Sequence, residues 1–208
     1  MKEKLPLVIT ISRQLGCGGA YVGQQLAKKL NIFYADREII NQAAKKLSVL
    51  EEDIENMDEK RSSFWKSFLE ACMFCSPEAY VPPYAVAPTD RELHKVESEI
   101  IEHIAQKSSA VIIGRCGSHI LRNHPNHVSV FLHGDIEFRK KRIQELYNVI
   151  EGTASNMIAK SDAQRSEYHR TFTGKKWVDA TQYDISIDTS KVSLDKAVEL
   201  IIKYVYSI

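Results

Sequence analysis

Val8-Ile9-Thr10-Ile11-Ser12-Arg13-Gln14-Leu15-Gly16-Cys17-Gly18-Gly19-Ala20-Tyr21-Val22 carries three signals in one run. Residues 8–11 are apolar with no polar alternation beyond Thr10, the pattern of a strand covered on both faces in a parallel sheet. Three glycines follow within four positions. Beyond them Val22, Leu26, Ala27 and Leu30 recur at helical spacing up to Asn31, a residue suited to ending a helix. Strand, glycine-rich loop and helix in that order turn main-chain N–H groups inward at the positive end of a helix dipole, where an oxyanion such as phosphate is the natural guest. Gly16, Cys17, Gly18, Gly19 and Ala20 are therefore phosphate-binding candidates. A tight turn for close strand-to-helix packing is the structural alternative. The signature G-x-x-x-x-G-K-[ST] is incomplete, because no lysine follows Gly18 and no hydroxyl stands where magnesium would be ligated.

Further strand-like runs occupy residues 32–34, 110–113, 128–132 and 183–188, and helical patterns separate them, including 91–107, 153–172 and 194–205. Alternating strands and helices predict a parallel sheet with helices on both faces. Asp36 reads as the cap of a helix carrying Ile39, Ile40, Ala43, Ala44 and Leu47. Residues 51–59 hold six acids and read as a solvated helix face, and four of the six prolines fall within 77–88, an extended loop. Two inserts stand out from the alternation, about 48–90 and about 148–176.

The chain has 208 residues, 28 Lys plus Arg against 27 Asp plus Glu, a net charge of +1, and 44% hydrophobic residues. That length supports one core without staples, and disorder and disulfide scaffolds are excluded. Near-neutral charge argues against a nucleic-acid or membrane-surface binder, since both need sustained positive charge. No apolar run is long enough for a signal or a membrane span, so a cytoplasmic location is expected. Cys17, Cys72, Cys75 and Cys116 read as reduced thiols. Cys72 and Cys75 form C-x-x-C but lie in a helical run with no strand leading into it. The histidines show no H-x-E or H-E-x-x-H spacing, and G-x-S-x-G is absent, so a protein-held catalytic metal and a serine hydrolase both lose support.

Arginines stand at the ends of separate strands, where an open α/β sheet places its ligand crevice: Arg13 after the first, Arg37 beside Asp36 after the second, Arg115 after the third. Their fork geometry suits phosphate or carboxylate. Arg139 and Arg142 share a helix face beyond the fourth strand. Residues 160–176 carry five Lys or Arg, and Asp162, Arg165 and His169 share one face at i, i+3 and i+7. Such a segment beside Gly174 is suited to closing over a polyphosphate, or to being a solvated face with local ion pairs.

Ile9 to Gly19 as quoted, Tyr34-Ala35-Asp36-Arg37-Glu38-Ile39-Ile40, Val111-Ile112-Ile113-Gly114-Arg115-Cys116, and the C-terminal pieces Phe172-Thr173-Gly174-Lys175-Lys176-Trp177 and Tyr183-Asp184-Ile185 together resemble the cytidylate kinase-like family. The resemblance spans about 7–205 and is thinnest at 60–90. It implies a three-layer P-loop NTPase-like fold with a five-stranded parallel sheet, in one nucleoside monophosphate kinase-like domain. Its core would be about 5–47, 91–147 and 177–208, its helical acceptor-side insert about 48–90, and its lid about 148–176. It implies ATP as donor, with Mg2+ held mainly by nucleotide and water, and a nucleoside monophosphate, CMP-like, as acceptor. Arg115 and Arg139 would touch the acceptor phosphate, Asp36 and Arg37 begin the acceptor site, and Asp162 and Arg165 match a D-x-x-R serving nucleoside and phosphates.

Two departures accompany the resemblance. Gly18-Gly19 stands where the family's authentic cytidylate kinases have Gly-Lys, and Ile113-Gly114-Arg115-Cys116 where they have Asp-Gly-Arg-Asp. Arg13 is the expected substitute for the lysine, with Arg165 and Arg170 arriving as a lid closes. A nucleotide- or anion-binding regulatory module and a kinase of another small acceptor are the alternative readings.

Overall fold

A computed structural model describes residues 5–36, 39, 40, 43 and 91–208. The glycine run sits at the hub of the sheet. Strand β1 (Val8–Arg13) pairs in parallel with β3 (Ala110–Ile113) on one side and β4 (His127–His133) on the other; β2 (Phe33–Ala35) and β5 (Ile185–Asp188) complete the order β2-β3-β1-β4-β5. Register matches Ile11 to Ile113 and Arg13 to Leu132. Because the chain leaves β1 for one half of the sheet and later enters the other half, the carboxyl end of β1 is the topological switch point, where such sheets bind ligands. Loop 14–18 lies there.

The sequence expectation of an all-parallel sheet holds for a packing reason. Ile9 and Ile11 point into one core with Val22, Leu26, Val198 and Ile201, from α1 (Gly19–Leu30) and α6 (Leu194–Val205). Val8 points into the other, with Ile100, Ile101 and Ile104 of α2 (Arg91–Lys107). Alternate residues of one strand thus feed two layers, and both layers are apolar.

The remaining helices are α3 (Gly117–Ile120), α4 (Ile136–Tyr147) and α5 (Glu151–Thr173), with a 3-10 turn at Ala180–Gln182. Their ends follow local chemistry. Asn31 is left-handed (φ 50°) and closes α1, Asp135 accepts from the N–H groups of Glu137 and Phe138 at the start of α4, and Ser193 caps α6 through Lys196. Among the described residues, no helix is long and apolar enough to cross a membrane. Ile39, Ile40 and Ala43 are helical after Asp36, whose Oδ1 accepts from the Ile39 N–H at 3.1 Å. Arg37, the acidic run 51–59, Cys72, Cys75 and prolines 77–88 lie outside the described residues.

Candidate active site

Gly18 is left-handed (φ 72°) at the cap of α1, no side chain caps that end, and the first turn contains no acid. The opening N–H groups of α1, which an α-helix leaves without intrahelical partners, therefore keep their positive field for a guest. Gly16 is also left-handed (φ 90°), and a Cβ there would approach the Arg139 carbonyl to 3.0 Å; one on Gly18 would meet the Leu194 side chain at 2.6 Å. Contacts with Arg139 and Leu194, together with the positive φ, thus demand glycine at both positions. Cys17 is buried within the bend, and burial pushes its thiol up to about 11, so it contributes shape and no nucleophile. Ala20 is exposed beside it.

Gly19 has a different reason. A Cβ at that position would lie 2.6 Å from Cγ of Arg13 and 3.1 Å from its Cδ. Counting back five residues from Gly18, Arg13 occupies the place of the first glycine in the phosphate-loop signature. The chain therefore exchanges the two ends of the motif: a side chain is lost at 19 and gained at 13, and the second lies across the first. The Arg13 guanidinium continues toward the end of β3, where a Cβ on Gly114 would come within 2.5 Å of Nη1. The charges of both Arg13 and Asp36 act on the Tyr34 hydroxyl, which burial holds above the usual tyrosine range. Arg13 thus spans the crevice from α1 toward the ends of β3 and β2.

Three further side chains grip the loop from outside. Asp162 accepts from the Leu15 N–H at 2.9 Å and is paired with Arg139, whose Nε donates to the Leu15 carbonyl at 2.8 Å. Arg165 donates to the Arg13 carbonyl at 2.9 Å and lies 3.9 Å from Asp162. The shared face foreseen for Asp162 and Arg165 exists, and these contacts turn it toward the loop backbone. Arg139 is 4% exposed and sits among loop contacts. Arg170 is exposed, about 140° around α5 from Arg165.

Arg115 is placed elsewhere. Gly114, Arg115 and Cys116 are left-handed in succession (φ 77°, 53° and 55°), a costly run for two residues that carry a Cβ. The Arg115 guanidinium is paired at 2.8 Å with Glu97 of α2, and both side chains are nearly sealed from solvent. Glu97 is not among the site residues to which the sequence points. Its signal was present: a lone carboxylate spaced i+4 from Leu93 and i−3 from Ile100.

Ala20 offers no side-chain oxygen to a metal, and among the described residues no group of three or more His, Cys, Asp or Glu forms a metal cage. A magnesium ion carried on a nucleotide's own oxygens and water needs none.

Residues 8–191 match the cytidylate kinase-like family. No curated protein matches the chain. Among solved structures, an uncharacterised protein from Eubacterium ventriosum ATCC 27560 superposes with a TM-score of 0.73 at 29% identity, covering 97% of this chain and 99% of that one. Shikimate kinase from Bacteroides thetaiotaomicron superposes with a TM-score of 0.50 at 12% identity, covering 96% and 98%. Shikimate kinase from Acinetobacter baumannii, in complex with shikimate, gives 0.50 and 12%, covering 99% and 95%. The last two share the fold. A family match over residues 8–191, nearly the whole chain, shows that this protein belongs to the cytidylate kinase-like family.

Proposed function

We propose that the protein is an ATP-dependent phosphotransferase acting on a nucleoside monophosphate, with a CMP-like acceptor favoured, and that Arg13 takes the part of the missing phosphate-loop lysine. The observation that supports this most strongly is the Arg13 stem lying where a side chain at Gly19 would be. Phosphoryl transfer asks the protein to align donor and acceptor and to neutralise charge on the moving group. Loop N–H groups from Gly16 to Ala20 hold donor phosphates. Arg13 supplies a cation from the opposite end of the same loop. Arg139, Asp162 and Arg165 keep the loop in shape, while Asp36 and Arg115 serve the acceptor side. Segment 148–176 acts as a lid. Magnesium arrives on the nucleotide and adds charge neutralisation there.

A second reading keeps the anion site and drops turnover. Gly19 and Ala20, which remove both the lysine and the hydroxyl of the signature, favour it. Purified protein incubated with ATP and a panel of CMP, UMP, AMP and non-nucleotide hydroxyl acceptors separates the readings. Turnover with a pyrimidine monophosphate supports the first, and ATP binding without turnover the second. In the kinase reading, Arg13→Ala lowers kcat by roughly 10² to 10³, the usual loss for one transition-state cation. An unchanged kcat removes Arg13 from the mechanism.

A further inference from the structure

Beyond the loop, α2 and α5 meet in a buried polar chain. The carboxylate of Glu97, 1% exposed, holds Arg115 through Oε1 and accepts from the Tyr168 hydroxyl through Oε2 at 3.0 Å. The Tyr168 oxygen is 2.9 Å from Nδ1 of His94. With the single phenolic proton given to Glu97, that nitrogen is the donor, so donation runs imidazole to phenol to carboxylate. Aromatic contacts enclose the chain. His94 stacks on Phe172 with centroids 3.8 Å apart, and the Arg115 guanidinium carbon lies 5.2 Å from the centre of the Tyr168 ring. Burial raises the Tyr168 hydroxyl above its ordinary range and lowers His94 to about 4, which suits two neutral links at neutral pH.

Helix α5 carries Asp162, Arg165, Tyr168 and Phe172 within about 120° of its circumference. The first two hold the phosphate loop, and the last two cover Glu97, His94 and Arg115. A rigid helix cannot lift one pair without disturbing the other. We infer that Glu97, Tyr168 and His94 are positioning residues: they fix Arg115 in its left-handed conformation for an acceptor's anionic group and, through α5, tie that arginine to the state of the phosphate loop. The acceptor half rests on the kinase reading, whereas the tie to the loop does not.

Two arms test it on the full chain, with Tyr168→Phe, which keeps the ring, and Glu97→Gln, which keeps the shape. In unliganded protein, amide hydrogen exchange at residues 13–20 is expected to quicken about tenfold or more in either variant, as loss of a hydrogen bond to a charged group implies. In turnover with ATP and CMP, KM for CMP is expected to rise about tenfold while kcat stays within about threefold, and Tyr168→Phe added to Glu97→Gln adds little, since both act on one chain. Wild-type protein inert toward every monophosphate defeats the kinase reading and leaves the exchange arm to decide the tie. Unchanged exchange at 13–20 in Tyr168→Phe overturns the tie, even if Glu97→Gln does not fold. Fully additive effects, or equal losses in kcat and kcat/KM, overturn the positioning role.

Discussion

At the residue scale, the central feature is the exchange between positions 13 and 19. Gly19→Ala puts a methyl group 2.6 Å from Cγ of Arg13, an atom close to the backbone with little freedom to retreat. We expect kcat to fall about 10², close to the loss from Arg13→Ala, because both remove the same cation from its place. The triple variant Arg13→Gly, Gly19→Lys, Ala20→Ser rebuilds the conventional signature. It is expected to regain turnover lost in Arg13→Ala; continued inactivity argues that the loop no longer presents a lysine productively. The glycine pattern and the absent lysine were legible directly from spacing. Arg13 was the expected substitute for the lysine, but its stem crossing the Gly19 backbone was not legible, because a one-dimensional motif does not say which stem crosses which backbone. The clue was arithmetic: Arg13 stands five residues before Gly18, at the signature's first glycine.

At the element scale, α5 changes character between sequence and structure. Its extent was foreseen as 153–172 and is Glu151–Thr173. Its inward face was also readable, from the spacing of Asp162, Arg165 and His169. Composition could not say which of the five basic residues of 160–176 matter: Lys160, Arg170, Lys175 and Lys176 are exposed, and Arg165 alone turns to the loop. Partner identity is a tertiary fact, fixed by how α5 crosses the end of β1. Asp162→Ala leaves Arg139, 4% exposed, without its carboxylate and frees the Leu15 N–H. Orphaning a buried charge costs about 3 kcal/mol, so thermal or urea unfolding should show a loss of that size. A change below about 1 kcal/mol means that the loop stands without α5. The strands were the easiest elements to read: short β-branched runs with no alternation occur where both faces are covered. Glu97 was the hardest, because one acid on an apolar helix face resembles an error in pattern until Arg115 appears opposite it.

At the scale of the whole molecule, charge is balanced but its titration is not. His94 and His127 are both held near 4 chiefly by burial, against an unfolded value of about 6.5. Between those values the unfolded chain binds more protons than the folded one, so their stabilising contribution is complete above about pH 6.5 and is lost as pH falls toward 4. Discounted for partial exposure, each is worth on the order of 1 kcal/mol by pH 5. A melting midpoint about 5 °C lower at pH 5 than at pH 7 is expected from the pair. The slope should be shallower in His127→Gln, which keeps a polar partner for the Thr10 hydroxyl, 2.8 Å from the imidazole Nε2. A midpoint flat from pH 7 to pH 5 contradicts this account.

The contact between Gly18 and Leu194 joins distant parts of the chain. An early segment of the polypeptide obtains one wall from a side chain translated 176 residues later. During synthesis, the first β-α unit leaves the ribosome with that wall missing, and the bend takes its working contour only after the closing helix has docked.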